Sequence, residues 1–447
     1  MSEKQQRNCR GAVSVALWLA LAVGSPVLGP QAFGQGLYLG GAGPVSRAMG
    51  GASTAAPLDA AGAAYWNPAA ISGLRQSEIM LGNEFIYPTI HLSSSVSANA
   101  FGPGLPPVDR AGSTRSDSGL SLVPALSWVH RNPDSPITFG LASFGSAGGT
   151  VNFPGDPNNP VLSPTLAGAV VLGPQYGNAQ FLQIVPSLAY EVTDRLTIGF
   201  SPMVDFVQMQ VDPAFFEPPD FSAGIPGTFP AATHSRPYWG AGFRAGMYYH
   251  LTSNLDVGFS YISPQWFETF EYNSRDALGN PQQLSLALTL PQIFSWGLAY
   301  KGIPRTLIAT DFRFFDYKNT TLFGDPAPIG LGWNGVFATA VGAQYQLTGR
   351  TSLMAGYLYN QNPIPAANTL FNTQLPGILM HSVSFGASTV LTENIYLSLA
   401  YVHAFENSIT GSPREVPEAT VTMDAAADSL VMGIGIRYGC RQLPRVE

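Results

Sequence analysis

Charge is what this sequence has least of. Asp, Glu, Lys and Arg together make up 11% of residues, against roughly 25% in soluble globular chains. Long apolar runs are missing as well. Hydrophobic residues reach 45%, yet no run approaches the ~20 residues of a membrane-spanning helix. The first shortage argues against an ordinary soluble fold and the second against a helical membrane protein. A transmembrane β-barrel accommodates both, because only alternate residues of each strand face lipid. Cysteine is nearly absent, with only Cys9 and Cys440. The histidines, His91, His130, His234, His250, His381 and His403, form no HExxH-type zinc motif. A Ser–His pair for hydrolysis is also missing: His130 follows Ser127 closely, but residues three apart on a strand point to opposite faces. No enzymatic constellation, metal site or cofactor is therefore expected.

The N-terminus has the grammar of a secretion signal. Lys4, Arg7 and Arg10 form a basic start, residues 12–23 a short apolar run, and Ala32-Phe33-Gly34 a small-residue cleavage site. Cleavage after Gly34 removes those three cations and Glu3 from totals of 21 and 28, leaving 18 Lys+Arg against 27 Asp+Glu. That acidic balance gives no nucleic-acid footprint. Only Cys440 remains, which rules out an internal disulfide and a cysteine-based zinc site.

What is present in quantity is a recurring turn. Tyr190-Glu191-Val192-Thr193-Asp194-Arg195-Leu196 is echoed by Tyr249-His250-Leu251-Thr252-Ser253-Asn254-Leu255 and by Tyr345-Gln346-Leu347-Thr348-Gly349-Arg350. Val390-Leu391-Thr392-Glu393-Asn394-Ile395 follows the same pattern, and Tyr300-Lys301-Gly302-Ile303-Pro304-Arg305 more loosely. Each joins two alternating runs through a short polar link, as hairpins do. The aromatic before the turn suits a membrane interface. With an earlier turn at Arg131–Ser135, six short turns alternate with seven longer Pro/Gly/Asn-rich loops. This predicts an all-β fold, a fourteen-stranded antiparallel transmembrane barrel with both ends in the periplasm. The strands show the dyad: Trp239, Ala241, Phe243, Ala245 and Met247 alternate with Tyr238, Gly240, Gly242, Arg244 and Gly246.

Residues 35–75 differ. They are rich in Gly and Ala, poor in charge and without a period of two. Small residues let backbone pack in a confined space, so the segment is expected to plug the lumen. The alternative is a disordered periplasmic leader, which the shortage of Lys, Glu and Ser disfavours.

Several stretches resemble the FadL/TodX family of outer-membrane transporters for long-chain fatty acids and hydrocarbons. Ser46-Arg47-Ala48-Met49-Gly50-Gly51-Ala52, Asp59-Ala60-Ala61-Gly62-Ala63 and Asn67-Pro68-Ala69 are similar, in that order, to the family's N-terminal hatch. Leu290-Pro291-Gln292-Ile293-Phe294-Ser295-Trp296-Gly297, Gly356-Tyr357-Leu358-Tyr359-Asn360 and His381-Ser382-Val383-Ser384-Phe385-Gly386 resemble its middle and late strands. The resemblance implies residues 1–34 as signal peptide, 35–75 as hatch, 76–438 as barrel and 439–447 as a tail. It implies residence in the Gram-negative outer membrane as a monomer, with outer-membrane lipid and the barrel-assembly machinery as partners. It implies passive uptake of a hydrophobic small molecule, with lateral exit beside a kinked third strand. That strand is expected at residues 136–149, with Phe144, Gly145 and Gly148 at the exit. The chain departs from the family by having Phe144-Gly145-Ser146-Ala147-Gly148 where a Pro-aromatic-Gly element is expected, and by trailing past Tyr438.

Substrate contacts are expected in two places. The loop 212–235 carries Phe215, Phe216, Phe221, Ile225 and Phe229 between prolines, and exposed aromatics there would serve capture or simply pack on one another. The apolar run 166–172 could share that task or form a packed loop helix. Inside, Arg244 and Arg313 face the lumen by alternation and could hold a carboxylate. The favoured alternative is that they pair with inward acids such as Asp311 or with the hatch, since a buried charge demands a partner, and Arg47 has the same two readings. Asn67, Pro68 and Ala69 are expected to position the hatch first and to gate second. The competing function is a structural or adhesive barrel with a blocked lumen.

Overall fold

The alternation along the chain becomes a wall. The computed structural model describes residues 35–164, 170–233, 236–414 and 416–439. The signal segment 1–34, the tail from Cys440 onward and residues 166–169 of the apolar loop run 166–172 lie outside the described residues. Fourteen strands follow in order: β1 (Ser77–Val96), β2 (Arg110–Arg115 and Ser121–Arg131), β3 (Ile137–Phe153), β4 (Gln175–Glu191) and β5 (Leu196–Asp212). Next come β6 (Tyr238–Thr252), β7 (Leu255–Ile262 and Gln265–Phe267), β8 (Thr289–Leu290 and Ile293–Ile303), β9 (Thr306–Phe315) and β10 (Val336–Gln346). The wall is completed by β11 (Thr351–Asn360), β12 (His381–Val390), β13 (Ile395–Gly411) and β14 (Ala419–Tyr438).

Each strand pairs antiparallel with the next. The cylinder closes where β14 pairs with β1 in an unbroken ladder from Ser77↔Tyr438 to Val96↔Ala419. Closure is what a membrane demands, because an open edge would leave backbone groups unpaired in hydrocarbon. Trp128 Nε1 donates to the Tyr438 hydroxyl across the seam at 2.6 Å, tying β2 to the end of the last strand.

The two faces of the wall follow the sequence dyad. On β6, Trp239, Phe243 and Met247 are exposed, while Tyr238, Arg244 and Tyr248 are buried. Tyr190, Tyr300 and Tyr345, the residues before three of the short turns, are all exposed on the outside, as an interfacial girdle requires. Among the described residues no helix is long and apolar enough to cross a membrane.

Residues 35–75 are almost wholly buried. They form two short helices, α1 (Gly43–Ala48) and α2 (Ala60–Trp66), and a 3-10 turn (Pro68–Gly73). Asp59 caps α2 by accepting from the Gly62 amide at 2.7 Å. Inward glycines of the wall make room for this segment. A Cβ on Gly246 would stand 2.0 Å from Asn67 Oδ1, and one on Gly356 would stand 2.1 Å from the Gly50 amide nitrogen. Only hydrogen fits at either place.

Candidate functional site

The N-terminal segment is fastened to the wall by inward acids and bases. Asp311 Oδ2 on β9 accepts from the Ser53 and Thr54 amides at 2.9 and 3.0 Å and from Thr54 Oγ1 at 2.8 Å. Arg313 Nη2, two residues along the same face, donates to that oxygen and to the Gly51 carbonyl, both at 2.5 Å. Its guanidinium lies 4.0 Å from the Trp66 ring centroid, a cation–π contact. Arg47 of α1 donates to Glu84 Oε1 of β1 at 2.6 Å. Glu78 at the foot of β1 accepts from the Ala60 amide at 2.8 Å and from the Tyr396 hydroxyl at 2.7 Å, and pairs with Arg437 at 3.0 Å.

Arg244 of β6 is buried and spends its donors locally. Nη1 donates to the Ala64 and Tyr65 carbonyls at 3.0 and 2.5 Å, and Nη2 to Gln183 Oε1 at 2.5 Å. The structure thus brings Arg47, Arg244 and Arg313 against the N-terminal segment or an adjacent acid. Asn67 Oδ1 accepts from the Ala69 amide at 3.0 Å, and its Nδ2 donates to the carbonyls of Thr54 and Met247 at 2.8 and 3.0 Å. With Pro68 and Ala69 it seats the turn against Gly199 and Gly246.

The third strand departs from the cylinder. Its ladder with β2 stops at Ala125↔Phe144, while its ladder with β4 continues to Phe153↔Gln175 with a register shift between Gly145 and Ala147. From Phe144 to Val151 every residue is buried, so this half of the strand turns into the lumen. Gly148 holds φ at +148°, which a side chain would resist. A bulge re-aims a strand and ends pairing in this way. The edge so freed meets the N-terminal segment. The Leu39 amide donates to the Ser146 carbonyl at 3.0 Å, and the Gly148 amide to the Leu37 carbonyl at 3.2 Å. The Tyr65 hydroxyl also donates to Ser146, at 3.1 Å. Aromatic rings fill the space beside it: Phe144 to Tyr65 at 4.8 Å, Tyr65 to Trp66 at 4.7 Å, and Trp66 to Phe315 at 6.2 Å.

Two spaces adjoin this arrangement. An outer pocket of ≈ 520 Å³, part of it open to solvent, is lined by Phe215, Phe216, Phe371, Leu331, Met209 and Val211 among others. Phe229 packs edge-on to Phe215 at 5.2 Å without lining it. Phe221 and Ile225 are exposed outside it. The structure therefore separates the loop aromatics that the sequence groups together. Val170 and Val171, the end of the earlier apolar run, pair with Gly227 and Thr228 of the same loop. An inner space of ≈ 430 Å³, part of it open to solvent, lies between the N-terminal segment and β11–β14, lined by Leu39, Leu358, Val402 and Ala404 with Arg47, Asn360, His381 and Ser429. Among the described residues there is no group of three or more His, Cys, Asp or Glu arranged to hold a metal.

Sequence reasoning placed Asp311 and Arg313 together on the inward face, where the structure pairs them, but missed Glu84 as the counterpart of Arg47 and Glu78 as that of Arg437. The signal was available, since each is an acid on the inward phase of its strand. Phe371 and Leu331 could not be found this way, because they reach the outer pocket from loops far apart in the chain.

A family model described as outer membrane protein transport protein (OMPP1/FadL/TodX) matches residues 29–439. Among solved structures, the P. putida toluene transporter TodX superposes with a TM-score of 0.67 at 17% identity, covering 90% of this chain and 100% of that one. The Ralstonia pickettii toluene transporter TbuX gives 0.65 at 17%, covering 90% and 99%. A Pseudomonas aeruginosa FadL homologue gives 0.65 at 18%, also covering 90% and 99%. At such identities the likeness is one of fold. No sequence among curated proteins matches the chain.

Proposed function

The chain belongs to the outer membrane protein transport family (OMPP1/FadL/TodX), and from that premise we propose that it admits uncharged hydrophobic small molecules, hydrocarbons foremost, through the outer membrane. Residues 35–75 serve as its hatch, and residues 76–438 as the barrel. Transport of this kind binds and releases without making or breaking a bond, so the lumen needs an apolar path and no nucleophile. Capture begins at Phe215 and Phe216 in the outer pocket, where burying a ring-sized apolar surface supplies about 25 cal/mol per Å² removed from water. The ligand then passes to the inner cavity and leaves where β3 has parted from β2. Leu37 and Leu39 sit on that freed strand edge, and their withdrawal opens it.

The observation that carries this reading is the inward turn of β3 after Phe144, with hatch backbone pairing to it. The neutral character of the ligand is supported by the arginines. Arg47 and Arg313 are neutralised by carboxylates, and Arg244 is engaged by carbonyls. A carboxylate headgroup would have to displace these partners.

Binding to the purified barrel in detergent tests the proposal, with toluene and a long-chain fatty acid compared. Saturable toluene binding is expected. Fatty-acid binding, where it occurs, is expected to survive Arg244→Ala and Arg313→Ala. Failure of both ligands to bind would leave the blocked structural barrel as the better account.

A further inference from the structure

The wall also steps down late in the chain, where β11 and β12 end together at Tyr359↔His381 while β13 continues outward to Gly411. The ladder between β12 and β13 ends at Ser382↔Ala404, at the second residue of β12. Yet β13 runs on to Gly411, paired there only with β14, with a register shift between Ala404 and Asn407. The extra residues are Phe405 and Glu406, both exposed. Beyond this point the free edge of β13 is met by loop rather than strand: Asn407 Nδ2 donates to the Ile378 carbonyl at 2.8 Å. The inner cavity comes to the wall at this same place. Its lining runs from Arg47 of the hatch to Met380, His381, Ser382 and Ala404. His381 belongs to the outside, exposed and bonded through Nδ1 to the exposed Tyr357 hydroxyl at 2.7 Å.

The height of the break identifies what lies beyond it. Nine residues separate His381 from Val390 at the periplasmic turn. That is roughly 30 Å of strand at about 3.3 Å per residue, and about 23 Å of height at a tilt near 40°. The apolar band of an outer-membrane barrel is about 25 Å tall. The break therefore meets the outer leaflet, at the boundary of its acyl chains. Phe405 stands exposed beside it. Inside, apolar Leu358, Val402, Ala404 and Ala427 share the lining with Asn360, Ser382 and Ser429, and Arg47 is neutralised by Glu84.

The geometry points to a second side port at the β12–β13 junction, through which an uncharged hydrophobe dissolved in the outer leaflet exchanges with the inner cavity. This rests on the transport reading but adds a route independent of the outer pocket and of β3. Molecules that partition into lipid would then reach the lumen without passing the loops.

Cysteine accessibility in proteoliposomes tests it, in a Cys440→Ser background. Ala404→Cys is expected to react with a lipid-soluble pyrene maleimide and to resist a charged, water-soluble maleimide. Leu399→Cys, on the lipid-facing side of the same strand, reports that the probe reaches the wall. Once Ala404→Cys carries pyrene, uptake of toluene delivered through the lipid is expected to fall severalfold, whereas labelled Leu399→Cys keeps its uptake. Labelling of Ala404→Cys from water alone, or full pyrene labelling with unchanged uptake, would overturn the port. Ala404→Ser is a milder replacement that confirms the strand tolerates change. Absence of toluene binding to the unmodified barrel in detergent would instead overturn the transport reading, and is scored separately.

Discussion

Removing the Asp311 carboxylate should release the middle of the N-terminal segment without dismantling the barrel. Asp311 lies on β9, whose two ladders are complete from Thr306 to Phe315 apart from the turn, so strand pairing does not depend on its side chain. What does depend on it is Oδ2, which takes the Ser53 and Thr54 amides, the Thr54 hydroxyl and the Arg313 guanidinium. In Asp311→Ala a buried arginine loses its countercharge, at a cost of about 3–5 kcal/mol. Water entering the space can recover part of this by solvating the freed amides. At about 1.4 kcal/mol per factor of ten, the closed arrangement of residues 51–54 is expected to weaken by roughly 10²- to 10³-fold. Amide hydrogen exchange read by mass spectrometry over this segment measures it directly. Ion conductance in a planar bilayer measures the consequence, and should rise. Asp311→Asn keeps an acceptor and should fall between wild type and alanine. Exchange and conductance both matching wild type in the alanine variant would refute the idea that this carboxylate holds residues 51–54 in place.

Other outcomes follow from the same contacts. Gly246→Val places carbon where Asn67 already stands; overpacking of this sort costs about 1–3 kcal/mol and should appear as a lower melting temperature in detergent, with faster exchange around residues 67–70. Phe215→Ala and Phe216→Ala should each weaken toluene binding by about tenfold, from ~1–2 kcal/mol of lost apolar contact, while Phe221→Ala leaves it unchanged; isothermal titration distinguishes them. In the outer loops, Arg236 and the Trp239 amide hold the Glu268 carboxyl down to about 2 from its usual 4.5. A depressed carboxylate pKa contributes at neutral pH and is lost as pH falls through about 2. Carboxyl-carbon NMR should show that midpoint, moving back toward 4.5 in Arg236→Ala.

Much of the wall was legible because its grammar is local. A short turn after an interfacial tyrosine, a period of two, and an even number of strands are all visible within windows of ten residues, and they lead to fourteen strands. Inward placement of Arg244, Asp311 and Arg313 followed from the same period. The partners of those residues were not legible, since they lie across the lumen: Gly51 from Arg313, Ala64 from Arg244, Glu84 from Arg47. The composition of residues 35–75 suggests enclosure but says nothing of which strand each residue meets. The inward turn of β3 was hinted at by its glycines, yet where pairing with β2 ends depends on the partner strand. Among the loop aromatics, local pattern stops deciding. Five residues within one loop look alike in sequence, and only the fold of distant loops decides that Phe215 and Phe216 share a pocket while Phe221 faces solvent.

The seam between the first and last strands joins residues more than three hundred positions apart, and no other ladder in the cylinder is longer. Such distant pairing forms late, because so much chain must be ordered before it is rewarded. Once made, it leaves the cask no loose outer stave at which the wall could begin to unzip.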